Sequence, residues 1–303
     1  MIMKTHHRGR TGSAAPAGDR PPAPAGGPGG PAGAATGPPP APRPGGGRVP
    51  DRLLGLLGAG AFVALLEVLP RAGVISRDDL PPFSEIAGAL AGEAGGGAFW
   101  GALLDTLRGW GYGLAIALAA GLGLGLLIGS VPFLRDATAS TIEFLRPIPS
   151  VALVPLAVLL YGTQLGSTLM LVVYAAFWPV LLQAIHGVQD VDPVARETAA
   201  TYGFSRWARL RYLVWPTALP YLMTGVRLAA SVALILAVAG ELIIGAPGLG
   251  SAIALAQASN AVAEMYALIL VTGALGVGVN LLTRALERRV LAWHSSVRTE
   301  VPV

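Results

Sequence analysis

Six stretches of this chain are apolar for long enough to cross a lipid bilayer, and they constrain its fold more than any other feature. A crossing helix needs about 20 mostly apolar residues. The runs are 53–69, about 103–128, 148–161, 168–185, 219–244 and 266–286. They predict an all-α membrane protein of about six transmembrane helices. The third run is short and rich in proline, so its limits are the least sharply drawn.

Composition agrees and removes several classes of function. Hydrophobic residues make up 53% of the chain and charged ones 13%, whereas a soluble domain carries about a quarter charged. There is no cysteine, hence no disulfide, thiolate metal site or cysteine nucleophile. The single lysine, Lys4, sits in no strand-to-helix pattern, and a P-loop needs its lysine on the nucleotide phosphates. No cofactor is therefore expected in this chain, and any ATP hydrolysis, with its magnesium, is expected in a partner. The net charge of +4 is almost all arginine. In a membrane protein that excess orients the helices, so nucleic acid is not an expected partner.

Residues 1–50 are Ala, Gly and Pro with scattered Arg, a composition too poor in apolar side chains to offset the entropy of ordering. The expectation is a disordered cytoplasmic tail before a membrane domain over 51–303. The tail lacks the apolar core of a signal peptide. His6 and His7 within it supply too few ligands for a metal site, and none is expected elsewhere. Arginine placement puts both termini on the cytoplasmic side. Arg135 and Arg146 follow the second run, Arg196, Arg206, Arg209 and Arg211 follow the fourth, and Arg284, Arg288, Arg289 and Arg298 close the chain. Arg108 runs against this trend.

Inside the runs, small residues recur every four positions: Gly109, Gly113, Ala117, Gly121, Gly125 and Gly129, then Gly225, Ala229, Ala233 and Ala237. Each series lines one helix face so that another backbone can approach, and close contact within one subunit is the reading preferred over a dimer seam. Arg227 and Glu241 are ionisable groups at or near membrane depth, costly unless they face a partner or water. They are candidates for a translocation path, with interfacial anchoring as the alternative. Pro147, Pro149 and Pro155 bend or break the third run where it enters the membrane, as helices bordering a transport path often do, or else Pro147 and Pro149 simply cap a helix start.

The segment 187–218 carries the functional argument. Asp192 is an N-cap with Pro193 in the first helical position, Gly203 is the left-handed residue that ends the helix, and Ser205 caps a second helix. That second helix is expected to run to about Val214, stopped by Pro216 and Pro220. The product is a helical elbow with Trp207, Leu210 and Val214 on one face, shaped to dock into a groove on another protein.

Glu197-Thr198-Ala199, with Gly203 four residues further on and then Leu213-Val214-Trp215-Pro216, resembles the Glu-Ala-Ala loop of ABC importer permeases. Thr198 stands where alanine is usual, and Trp215 where leucine is. Leu80-Pro81-Pro82-Phe83-Ser84-Glu85, Leu145-Arg146-Pro147-Ile148-Pro149, Leu219-Pro220, Gly225-Val226-Arg227 and Glu241 to Gly245 with Gly248-Leu249-Gly250 look like the nitrate/sulfonate/taurine branch. Ser150 replaces a proline often found there. The resemblance runs from about Leu53 to Trp293. It implies a type I, MetI-like importer permease in a bacterial plasma membrane. Such a chain would work as a homodimer in lipid, with a cytoplasmic ATP-binding subunit and an external solute-binding protein. It further implies ATPase coupling through Glu197, Thr198, Ala199, Ala200, Gly203, Phe204, Ser205 and Arg206.

Two rivals remain at this point. A secondary transporter or channel explains the spans and Glu241 but not the Asp-Pro to Gly elbow. A membrane-embedded enzyme would need a polar cluster at membrane depth, yet beyond the tail the histidines are only His186 and His294, both at run ends.

Overall fold

The computed structural model describes residues 51–292. The expectations for the 1–50 tail, with His6 and His7, and for Trp293, His294 and Arg298 lie outside the described residues. Among the described residues all regular structure is helical. In order, α1 is Asp51–Arg71, α2 Phe83–Ala94, α3 Gly97–Ser130, α4 Pro132–Leu145, α5 Val154–Tyr161 and α6 Leu165–Gln189. There follow α7 Pro193–Thr201, α8 Arg206–Arg209, α9 Trp215–Ile244, α10 Leu249–Ala258 and α11 Val262–Val290.

Four helical rods are long and apolar enough to cross a membrane: α3, α6, the run Arg206–Ile244, and α11. A fifth arises if α4 and the helical pair Ser150–Tyr161 are taken as one crossing bent by 82°. The expected first crossing is α1, a helix of 21 residues that presents Leu57, Phe62 and Val68 outward. It is tethered to the start of α2, where the Ser84 amide and hydroxyl donate to the Glu67 carboxylate at 2.9 and 3.0 Å and Arg71 pairs with Glu67 at 2.6 Å.

α6 is the central helix, packed between α3 and α9. The small-residue series explain how. Gly109 faces Thr168, Gly113 faces Val172, Gly121 faces Val180, Gly125 faces Ala184 and Gly129 faces Val188, at one constant offset along the chain, so α3 and α6 run parallel. On the other side Gly187 meets Ala218, Gly225 meets Gln183 and Gly240 meets Leu171, so α9 runs antiparallel. Gly225, Ala229, Ala233 and Ala237 are all buried. Both series are thus seams within one chain, as expected. A Cβ at Gly121 would lie 2.8 Å from Val180, and one at Gly125 2.8 Å from the Leu181 carbonyl. The α3–α6 seam is therefore closed to a side chain at Gly121 and Gly125. Trp110 Nε1 donates to the Ala230 carbonyl at 2.9 Å, tying α3 to α9 directly.

The structure breaks the third run, as its prolines led one to expect, and corrects the predicted end of the elbow's second helix. The third run, 148–161, is not one helix: it is a 3₁₀ turn, Ser150–Leu153, followed by the eight residues of α5. Proline removes a helix donor, and Pro149 is extended, with φ −62° and ψ 121°. The Pro147-Ile148-Pro149 sequence therefore makes a corner. Nor does the elbow's second helix stop at Val214. α8 passes through a π-helical turn, Leu210–Val214, straight into α9, giving one helix of 39 residues. The widened turn lets the Trp215 amide reach the Leu210 carbonyl five residues back. Pro216 then enters as if at the first turn of a new helix, where its missing N–H is tolerated.

Candidate functional site

The elbow forms from local chemistry. Asp192 Oδ1 accepts from the Val194 amide at 2.8 Å, starting α7 with Pro193 in its first turn. At the other end Gly203 adopts φ +73°. The Gly203 and Phe204 amides donate to the Ala200 and Ala199 carbonyls at 3.0 and 2.9 Å, the double-bonded stop that needs a left-handed residue. Ser205 Oγ accepts from the Ala208 amide at 3.2 Å and starts α8. Nothing lies within 4 Å of a Cβ built on Gly203, so glycine is required there by its backbone angle rather than by space.

Of the eight expected coupling residues, all but the half-buried Ala199 are exposed. The elbow also leaves large apolar groups in the open: Val194, Tyr202, Phe204 and Trp207 are 68, 78, 45 and 71% exposed. It is anchored to the bundle by Arg196, whose Nη2 donates to the Val188 carbonyl on α6 at 2.7 Å. From sequence Arg196 carries only an orienting role. Its signal as an anchor is positional, one turn into a helix whose partner segment ends a few residues upstream.

The five path candidates do not converge. Glu241 is 1% exposed at the far end of α9. Its Oε2 accepts from Thr106 Oγ1 on α3 at 2.8 Å and from the Gly250 amide at the start of α10 at 3.0 Å, while Thr106 Oγ1 accepts from the Leu249 amide at 2.8 Å. Three helices are thus pinned at one carboxylate, which lies against Gly248. Thr106 was not singled out in the sequence, where one threonine in an apolar run carries no signal. Arg227 pairs with Glu287 of α11 at 3.4 Å, both partly exposed. Pro147 lies in the corner before α5, and Pro155 in the first turn of α5.

Pro149 alone borders a recess, of about 500 Å³, lined also by Arg146, Ser150, Tyr174, Trp178, Gln183 and His186. Tyr174 donates its hydroxyl to the Leu145 carbonyl at 2.7 Å, which holds the corner against α6. Among the described residues no group of three or more His, Asp or Glu side chains gathers to hold a metal.

The structure thus defines a helical membrane protein whose bundle packs around one helix, with an exposed elbow anchored to that helix. Residues 121–292 match the family model described as binding-protein-dependent transport system inner membrane component. That is more than half of the chain, and the chain belongs to this family. It is 34% identical over 173 residues to the taurine transport system permease protein TauC of Escherichia coli, a match covering 57% of this chain and 63% of that protein. It is 28% identical over 256 residues to the putative aliphatic sulfonates transport permease protein SsuC of Bacillus subtilis, covering 80% of this chain and 88% of that one. Both relatives carry names from the nitrate/sulfonate/taurine branch that the sequence motifs resemble. The fold is similar to a solved inward-facing structure of the MetNI methionine ABC transporter, with TM-score 0.53 and 17% identity over 62% of this chain and 93% of that one. This bears out the MetI-like architecture.

Proposed function

We propose that the chain is the permease subunit of an ATP-driven importer, forming the translocation path for a small anion such as an aliphatic sulfonate, taurine or nitrate. It acts as a homodimer in the bacterial plasma membrane, both termini cytoplasmic, with a cytoplasmic ATP-binding subunit that carries ATP and magnesium and an external solute-binding protein. The observation that carries this reading is the elbow. Tyr202 and Phe204, in the turn outside the apolar rods, and Trp207, at the first turn of the Arg206–Ile244 rod, are exposed beside arginines, large apolar groups of the kind that a protein partner covers.

Coupling follows from the two links of the elbow to the bundle. On one side Arg196 ties α7 to the end of α6. On the other, α8 is continuous with α9. A partner that moves the elbow therefore moves two adjacent helices of the core together, and the corner held by Tyr174 on α6 moves with them.

The test is to tag the chain in its native host, extract it in mild detergent and identify copurifying chains by mass spectrometry. An ATPase with a P-loop lysine is expected, together with its loss in Gly203→Val. Valine is the stringent choice because a β-branched residue at φ +73° is a backbone outlier, whereas aspartate tolerates that region and is the milder variant. A chain recovered alone under gentle extraction would overturn the proposal in favour of a secondary transporter.

A further inference from the structure

We infer that the recess between the Pro147–Pro149 corner and α6 is a binding site for the transported solute, and that it selects small oxyanions through Arg146. This rests on the permease reading above and names the chemistry of the path. The lining holds two cationic or cationisable groups, Arg146 and His186, and no carboxylate. Among the described residues Arg146 has no acidic partner. Trp178 Nε1 is buried without a hydrogen-bond partner, and Ser150 and Gln183 add a hydroxyl and an amide.

This set combines a fixed positive charge and neutral hydrogen-bonding groups with no anionic side chain, on walls that are otherwise apolar. A guanidinium fork with neutral donors beside it fits a sulfonate or nitrate. The same positive charge opposes an organic cation that the Tyr174 and Trp178 rings would otherwise attract. The volume of about 500 Å³ is within the usual range of small-ligand sites.

Position supports the assignment. Tyr174 and His186, both on α6, bound a groove about 18 Å long at 1.5 Å per residue. Its His186 end lies next to the Val188 carbonyl that anchors Arg196. The corner that supplies Arg146, Pro149 and Ser150 is held to α6 by the Tyr174 hydroxyl. The recess is thus bounded by the elements to which the elbow is linked: α6, α9 and the corner tied to α6.

The experiment uses the full chain in lipid nanodiscs. Tryptophan fluorescence is titrated with methanesulfonate and with nitrate at constant ionic strength against gluconate, with dimethyl sulfone and tetramethylammonium as neutral and cationic controls. A saturable response to both anions is expected, absent in Trp178→Phe, weakened about tenfold or more in Arg146→Gln, the scale of one lost charge-assisted hydrogen bond, and intermediate in Arg146→Lys, which keeps the charge but loses the fork. Ser150→Ala, a smaller change, is expected to weaken binding less while leaving the elution profile of the chain unaltered. Equal affinity in Arg146→Gln, an equal response to dimethyl sulfone or tetramethylammonium, or no saturable response to either anion would overturn the inference. Copurification of the ATPase separates the two readings. If the ATPase is present and Arg146→Gln binds normally, the site fails and the permease stands; if anion binding depends on Arg146 and no ATPase is found, the reverse holds.

Discussion

Gly125→Leu is expected to abolish recovery of the folded chain, whereas Gly123→Leu, two residues away on the same helix, is expected to leave it intact. A Cβ at Gly125 would lie 2.8 Å from the Leu181 carbonyl, a backbone atom that cannot rotate aside, while one at Gly123 meets nothing within 4 Å. Overpacking a close seam costs about 1–3 kcal/mol even where side chains can adjust, and here α3 and α6 would have to separate along their shared face. The measurement is the fraction of monodisperse protein after size exclusion in detergent, followed by the melting temperature. Equal yields for the two variants would contradict the assignment of this seam to the interior of one chain.

Glu241→Ala is expected to release α10 from the bundle, and Glu241→Gln to release it far less. Alanine leaves the Gly250 amide and the Thr106 hydroxyl without their acceptor. Each buried unpaired donor costs about 1–3 kcal/mol, with no water at membrane depth to replace the lost bond. The glutamine carbonyl can still accept from both. Hydrogen exchange followed by mass spectrometry over 245–258 reads the difference directly: fast exchange in the alanine variant and near-native protection in the glutamine one. Unchanged protection in the alanine variant would mean that apolar packing of Leu249 and Ile253, both buried, holds α10 without the carboxylate.

How much of this was legible in the sequence depended on range. The elbow was readable because Asp192, Pro193, Gly203 and Ser205 each act on backbone groups a few residues away. The small-residue series announced close packing, and the constant spacing of four identified the buried face, but the sequence did not say that both series would clasp α6. The Glu241 tie joins residues 135 positions apart, and nothing local to Thr106 distinguishes it from other polar residues in apolar runs. The prolines misled in a more instructive way. Pro147 and Pro149 broke a helix as expected, whereas Pro216 did not, because the π-helical turn before it rearranged the hydrogen bonds that a proline would have interrupted.

The uninterrupted helix Arg206–Ile244 has 39 residues and, at 1.5 Å per residue, measures about 58 Å. It joins the elbow at one end to the carboxylate tie at the other, so the rotational phase of one end fixes that of the other. A single residue inserted between Pro220 and Glu241 would turn the far end by about 100°, pointing Glu241 away from Thr106 while the elbow stayed in place. An insertion of seven residues, close to two full turns, would restore the phase but push the tie about 10 Å outward. The number of residues between Gly203 and Glu241 is thus a specification in its own right, and it predicts that this stretch tolerates substitution on its lipid face far more readily than any change of length.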